Sequence, residues 1–204
     1  PASQVFGALD WQGLIEFNDA KFENKSFSTG FMPSLYRPRP DERTAYFQRV
    51  KVAGRKFYYH TIRAIDKGQN QGIPVQQAAK EYTFTTQIRF KNLKSAELGT
   101  LLISLGQDEN YPMALKVGGG KPIGMGTMTV EITAANIVQN QQDLKERYSN
   151  FQPSENTKTG EELKQFIQEK IKSAHSGLIQ TPQLQQLAEI LRYPTDREPP
   201  EGMY

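Results

Sequence analysis

The sequence contains no cysteine and only two histidines, His60 and His175, among its 204 residues. The absence of cysteine excludes a disulfide framework and thiolate metal sites, and it suits a reducing compartment. Two histidines this far apart in the chain do not suggest a zinc site or a histidine-based catalytic cluster. The composition therefore predicts no metal site and no evident cofactor.

Long apolar runs are also missing. No segment approaches the length of a membrane span, and no secretory signal peptide is visible. These absences predict a cytoplasmic protein without a membrane partner. Hydrophobic residues make up only 37% of the chain, which is low for a globular protein, so much of the surface must face solvent or a partner.

Positive charge is concentrated in one segment. The chain has a net charge of +3, yet residues 25–63 hold nine basic and two acidic residues, a local net charge of +7. Localised basicity is the electrostatic footprint of a polyanionic partner, and the alternative is an ordinary solvated loop. Interleaved aromatic residues favour the first interpretation, because arginine and aromatic side chains together can hold phosphates and stack on bases. The candidate phosphate contacts are Arg37, Arg39, Arg43, Arg49, Arg55 and Lys56.

Near the end of this segment stand three consecutive aromatic residues, Phe57, Tyr58 and Tyr59. Aromatic residues are favoured in strands, where they pack on a half-buried surface. We expect these three to be strand residues that pack on a core rather than nucleic-acid contacts.

Residues 116–128 combine five glycines with two lysines. Glycine reaches positive φ and allows another backbone to come close, so this loop can present N–H groups and positive charge to a phosphate. It is not a Walker A loop, because Pro122 follows Lys121 where that motif has Ser or Thr. The alternative is a wide turn between two strands. The candidate binding residues are Lys116, Gly118, Gly119, Gly120, Lys121, Gly124 and Gly126.

The remaining patterns predict an α+β fold. Residues 11–17, 82–90 and 127–133 are predicted strands, the second half-buried because its apolar residues alternate with polar ones. A helix capped by Ser95 is predicted to pack on the sheet and to end at Gly106. Its apolar stripe comprises Leu98, Leu101, Leu102 and Leu105. The order strand, helix, loop, strand fits a ferredoxin-like split βαβ unit.

Two further helices are predicted in the C-terminal part of the chain. One begins at Thr159, which forms a capping box with Glu162, and the other begins at Thr181-Pro182. Polar, glycine-containing and proline-containing stretches predict irregular structure between the elements. The segments predicted as loop, linker and tail are 67–78, 149–158 and 194–204.

Several short segments follow one another in a characteristic order. They are Val5-Phe6-Gly7, Gly13 to Phe17, Asn18-Asp19-Ala20, Glu97 to Leu102 and the glycine loop from Gly118 to Gly126. The long basic insertion separates the third from the fourth. This order resembles the RAMP superfamily of CRISPR-associated proteins, most of all the backbone subunits of type III effector complexes. The resemblance covers about residues 2–133.

The resemblance implies a ferredoxin-like, RNA-recognition-motif-like RAMP domain over residues 1–140, followed by a helical extension and tail over 141–204. Within the domain, residues of about 25–80 are similar in position to the family's thumb, which wedges into the guide–target duplex. The glycine loop of such subunits helps to hold the guide backbone. Because Val5-Phe6-Gly7 normally lies well inside the domain, we expect an upstream half outside this sequence.

The first functional hypothesis is therefore a guide (CRISPR) RNA-binding backbone subunit of a type III interference complex. Its implied partners are guide RNA, target RNA and other CRISPR effector subunits, in a prokaryotic cytoplasm. A second hypothesis is a scaffold whose helical tail docks other subunits without touching RNA, against which the basic, aromatic insertion counts.

The alternative from another class is a metal-dependent endoribonuclease of the same superfamily, which would use Mg²⁺ or Mn²⁺ to cut target RNA or process guide RNA. The family's target-cleaving members use an aspartate in the N-terminal half of the domain. Asp19, Asp41 and Asp66 are available, but none lies in a matching motif, so the catalytic residue is unknown. We expect this chain alone to bind RNA without cutting it, because nothing evident activates a nucleophile.

Overall fold

The computed structural model of this chain describes residues 2–22, 27–35, 46–52, 56–78, 82–138, 140–150 and 156–200. These ranges contain five α-helices and twelve short strands, and every strand pair is antiparallel, which makes the protein an α+β protein. The helices are α1 (Ala2–Phe6), α2 (Ser95–Ser104), α3 (Gln141–Asn150), α4 (Gly160–Gly177) and α5 (Thr181–Leu191). The strands are β1 (Ile15–Phe17), β2 (Lys21–Phe22), β3 (Ser28–Met32), β4 (Phe47–Gln48), β5 (Lys51–Val52), β6 (Ile73–Gln77), β7 (Phe84–Thr85), β8 (Ile88–Phe90), β9 (Leu115–Lys116), β10 (Thr127–Met128), β11 (Ala135–Ile137) and β12 (Asn156–Lys158).

Six of the strands pair between two segments of the chain, which we call the two arms. The first arm holds the strands within residues 15–32, and the second holds those within residues 73–90. β1, β2 and β3 pair in order with β8, β7 and β6, from Ile15 opposite Phe90 to Met32 opposite Ile73. The basic insertion predicted over about 25–80 therefore leaves the rest of the chain on one arm and returns on the other. The prediction that residues 67–78 form a loop is wrong for the second half of this segment, because β6 pairs there with β3. Pro74 is tolerated in β6 because each pair is only two-stranded and leaves one strand edge unpaired.

The hydrophobic core forms where α2 meets the C-terminal helices. The leucine stripe of α2 packs with Ile171 and Ala174 of α4 and with Leu184 of α5. Ile15 and Ile88, from the paired strands β1 and β8, lie against the same cluster and are partly buried. The stripe, which was predicted to pack on the sheet, packs chiefly against α4, and the strands contribute only partly buried residues to the same core.

A glycine sets the distance between α2 and α4. Gly99 is buried in α2, and a Cβ built on it would lie 1.9 Å from the carbonyl oxygen of Lys170 and 2.9 Å from the Cβ of Ala174. Only a residue without a side chain permits this approach of two helix backbones.

The N-terminus of α2 differs from the prediction by one residue. The helix begins at Ser95, with Lys94 rather than Ser95 as its N-cap, and Glu97 accepts the Lys94 amide at 2.9 Å.

The ends of the helices agree with the sequence patterns in most places. Gly106 has a left-handed backbone directly after α2, as its position predicted. Thr159 is the N-cap of α4, although its side chain makes no capping hydrogen bond. The strand predicted over 127–133 is shorter, because only Thr127–Met128 is paired. Within the described ranges, no helix combines the length and apolar character that crossing a membrane would require.

Candidate nucleic-acid interface

The glycine loop, residues 117–126, connects the antiparallel strands β9 and β10. A single 3₁₀ turn lies at Lys121–Ile123, and the Val117 amide donates to the carbonyl of Gly126 at 2.8 Å. The loop is thus a turn between two strands, as the second interpretation of its sequence predicted. A turn that is held at both ends can still present its tip to a ligand, so the two interpretations are compatible.

The tip of the loop is open. A Cβ on Gly118 or Gly119 would have no neighbouring atom within 4 Å, and both residues are exposed. Gly120 is more crowded, since its Cβ would lie 2.5 Å from the sulfur of Met125. The backbone at Gly118 and Gly119 is therefore the part of the loop that a phosphate can approach.

The other two glycines of the loop serve its own geometry. Gly124 and Gly126 have left-handed backbones, with φ of +96° and +83°. A Cβ on Gly126 would lie 1.8 Å from the carbonyl oxygen of Val117, directly across the turn. These two glycines allow the loop to close, and other atoms of the chain crowd the positions where their side chains would be.

Both lysines of the loop fold back on the loop itself. The Nζ of Lys116 donates to the carbonyl of Gly124 at 3.1 Å, and Lys121 Nζ donates to the carbonyl of Gly118. Burial lowers the pKa of Lys116 to about 8, so this lysine is still mostly charged at neutral pH. Lys116 therefore places positive charge behind the loop, whereas Lys121 lies at its exposed side.

The basic insertion returns to the glycine loop along one stretch, residues 56–67, which we call the limb. The amide of Ile65 donates to the carbonyl of Ile123 at 2.9 Å. A Cβ on Gly124 would lie 2.3 Å from Thr61 Oγ1 and 2.6 Å from the carbonyl oxygen of Arg63. The missing side chain at Gly124 thus allows the limb to lie against the loop, which brings the two candidate RNA-contacting features side by side.

His60 fastens the limb to the strands that flank the loop. It is only 1% exposed, and its Nε2 lies 3.0 Å from the carbonyl oxygen of Ala114 while its Nδ1 lies 2.9 Å from Thr127 Oγ1. In the neutral ring, Nε2–H donates to the carbonyl and Nδ1 accepts the threonine hydroxyl. Burial lowers the pKa of His60, and the charge of Lys116 lowers it further, against the opposing effect of the Ala114 carbonyl. His60 is therefore a buried structural residue of the interface rather than a catalytic group.

The lowered pKa of His60 predicts a pH-dependent contribution to stability. Between its folded pKa and the ordinary value of about 6.5, the unfolded chain binds more protons than the folded chain. Stability from this residue is full above pH 6.5 or so and is lost as the pH falls through the folded pKa. We expect Tm to drop less between pH 7 and pH 5, or thereabouts, in His60→Gln than in the unsubstituted chain. Glutamine is the matched variant, because it offers one donor and one acceptor without titrating. Equal pH dependence in both proteins would contradict this role.

The candidate cations of the insertion are only partly within the described residues. Arg49 is exposed in the turn between β4 and β5, with φ of +61°, and Lys56 is exposed with its Nζ 5.1 Å from the ring centroid of Tyr58. Arg37, Arg39, Arg43 and Arg55 lie outside the described residues. The structure thus places Lys56 at the start of the limb and Arg49 on a separate hairpin.

The expectation for the three consecutive aromatic residues is wrong. Phe57, Tyr58 and Tyr59 belong to no strand, and the first and last are 45% and 51% exposed. The limb is held by hydrogen bonds and by His60 instead, which leaves these rings free of the core. They are candidates for contact with a ligand.

Two of the three candidate acidic residues lie within the described part of the chain. Asp19 is exposed, and Asp66 accepts the amides of Gly68 at 2.7 Å and Phe31 at 3.4 Å, which is a turn-forming role. Asp41 lies outside the described residues. Within the described ranges, no group of three or more His, Asp or Glu side chains is arranged to hold a metal ion.

Sequence reasoning missed the contribution of residues 192–200, which we call the tail. Segment 194–204 was predicted to be loose, which is wrong for its described part. The amide of Ile62 donates to the carbonyl of Arg197 at 2.9 Å, and the Arg197 guanidinium carbon lies 4.2 Å from the ring centroid of Tyr59. Glu198 pairs with Arg63 at 3.1 Å. No periodic pattern marks such a segment, since it crosses the limb as irregular, proline-containing chain.

No family model matches this chain, and a search of curated proteins returned no match. The functional argument therefore depends on the loop, the limb and the tail themselves.

Proposed function

We propose that this protein is a guide RNA-binding backbone subunit of a type III CRISPR interference complex. In this role it holds guide RNA through the glycine loop and contacts the guide–target duplex through the basic insertion. Target RNA and other effector subunits are its further partners. In this proposal its core is a RAMP domain of ferredoxin-like arrangement.

One observation carries the proposal: the limb of the basic insertion lies against the glycine loop. The Ile65–Ile123 hydrogen bond and the close approach at Gly124 join the two elements. In the RAMP subunits that the sequence resembles, the corresponding elements contact the guide and the duplex. Their contact in this chain supports a continuous surface for one nucleic acid rather than two unrelated features.

The chemistry of this surface suits a phosphate backbone better than it suits base edges. Gly118 and Gly119 offer open backbone, Lys121 lies beside them, and Lys116 adds charge from behind. Backbone N–H groups in a turn form concavities that bind anions. Phosphate contacts position a nucleic acid without reading its sequence, as a subunit must do when the guide sequence varies.

Gly119→Val tests the open tip of the loop. The side chain enters empty space, so Tm should be unchanged, but it blocks a phosphate from the backbone. We expect roughly a ten- to 150-fold loss of RNA affinity, because a hydrogen bond to a charged group is worth about 1.5–3 kcal/mol. Fluorescence anisotropy with labelled single-stranded RNA measures the affinity.

Gly119→Ala is the matched control for this variant. It adds a single methyl group at the same position and should retain most of the affinity. If Gly119→Val folds normally and binds RNA as tightly as the unsubstituted chain, the loop does not hold a phosphate.

A further inference from the structure

A groove lies where the limb, the glycine loop and the tail meet. It has a volume of about 360 Å³, within the range of roughly 300–1,000 Å³ for sites that hold small organic groups. Three elements distant in sequence contribute its walls. Its lining includes Phe57, Tyr59, Lys121, Arg197 and Glu198.

The walls of the groove combine aromatic rings with positive charge. Phe57 and Tyr59 expose about half of their surface and lie outside any strand. The guanidinium of Arg197 covers one part of the Tyr59 ring at 4.2 Å. Rings and arginine planes are the surfaces on which unpaired bases stack.

The charge around the groove favours an anionic occupant. Lys121 lines it from the loop, and Arg197 lines it from the tail. Glu198 is its one acidic lining residue, and Arg63 pairs with this carboxylate at 3.1 Å. A nucleotide satisfies both properties, since its base is a flat ring and its phosphate is negative.

We infer that this groove holds one unpaired base of the bound RNA, with the adjoining phosphate on the side of Lys121. The inference rests on the proposed function and adds a specific contact to it. Phe57 and Tyr59 stack with the base, and Arg197 orients the ring of Tyr59. The tail thereby becomes part of the RNA site, because it supplies Arg197 and fastens it through the Ile62 amide.

Two RNA probes separate base stacking from phosphate binding. One is a short oligouridylate, and the other is an abasic ribose-phosphate oligomer of the same length. The unsubstituted chain should bind the oligouridylate more tightly, by roughly five- to 150-fold for one stacked base. Tyr59→Leu and Phe57→Leu should each lose much of this preference and leave the affinity for the abasic oligomer unchanged.

Tyr59→Phe is the matched control, because it keeps the ring and should keep the preference for the oligouridylate. Equal binding of both probes by the unsubstituted chain, or a Tyr59→Leu variant that keeps the full preference, overturns the groove and leaves the phosphate-binding proposal standing. A chain that binds neither probe overturns both proposals. Thermal melts of the two leucine variants establish that they fold, and the two positions provide independent tests should one variant be unstable.

Discussion

Gly99→Ala is expected to destabilise the protein strongly, because it adds a methyl group where two helix backbones meet. The new Cβ would lie 1.9 Å from the carbonyl oxygen of Lys170, far inside van der Waals contact, so α2 and α4 must move apart. The stripe of α2 then loses contact with Ile171 and Ala174. Overpacking of a core typically costs about 1–3 kcal/mol and occasionally more, and we expect the upper end here. Chemical denaturation monitored by circular dichroism measures the loss.

Gly177→Ala is the matched control, since it makes the same substitution on the same helix pair. Gly177 is the last residue of α4, and its Cβ would lie 3.5 Å from the Cβ of Ala96, which is ordinary contact. Alanine also has the higher helix propensity, so the stability of this variant should be unchanged or slightly higher. Equal stabilities of the two variants would show that the close approach of α2 and α4 is not required.

Gly124→Asn should separate the limb from the glycine loop and weaken RNA binding with it. Asparagine tolerates a left-handed backbone better than most residues, but its Cβ would lie 2.3 Å from Thr61 Oγ1 and 2.6 Å from the carbonyl oxygen of Arg63. We expect a loss of about 2 kcal/mol in the free energy of unfolding. RNA affinity should fall by roughly tenfold or more, because the limb and the loop no longer form one surface and at least one charged contact is lost.

Gly68→Asn provides the control for this second prediction. Gly68 has φ of +68°, and a Cβ there would have no neighbouring atom within 4 Å. The variant places asparagine on a left-handed backbone without the crowding, so both stability and RNA affinity should remain close to those of the unsubstituted chain. A Gly124→Asn protein that binds RNA normally would show that contact between the limb and the loop is not needed for binding.

The helices α2, α4 and α5 could be predicted from the sequence because their information is local. The leucine stripe of α2, its end at Gly106 and the starts of α4 and α5 all depend on residues within a few turns of one another. The close approach at Gly99 could not be predicted, since it depends on Lys170, which is distant in sequence. A glycine inside a predicted helix indicates that another part of the chain packs closely there, but it does not identify that part.

The glycine loop was located correctly, but the separate roles of its glycines were not evident. Gly118 and Gly119 are open while Gly124 and Gly126 are crowded, and this difference arises from the limb and from the turn itself. The spacing of the residues in the sequence does not distinguish the roles of the five glycines, nor those of the two lysines. Lys116 proved to be half-buried and bonded to Gly124 rather than exposed.

The limb and the tail were the least predictable parts. Phe57 and Tyr59 have strand-favouring side chains, yet they lie in irregular chain because His60 and the Ile65 amide hold the limb instead. The tail is irregular as well, and its position depends on pairing with Ile62 and Arg63. Neither segment has a periodic pattern of apolar residues, so the sequence does not predict the contacts between them.

RNA affinity should fall steeply with salt if the cations of the basic insertion bind phosphates. The measurement is the affinity for single-stranded RNA across a salt series, for the unsubstituted chain and for a variant with glutamine at Arg49, Arg55 and Lys56. A slope of roughly −0.7 per phosphate contact on a log–log plot predicts that this variant flattens the slope by about two units. A second variant with glutamine at Lys145, Arg147 and Lys172, which lie in α3 and α4, removes the same charge elsewhere and should leave the slope unchanged. Parallel lines for all three proteins would contradict the account and show the insertion to be ordinary charged surface.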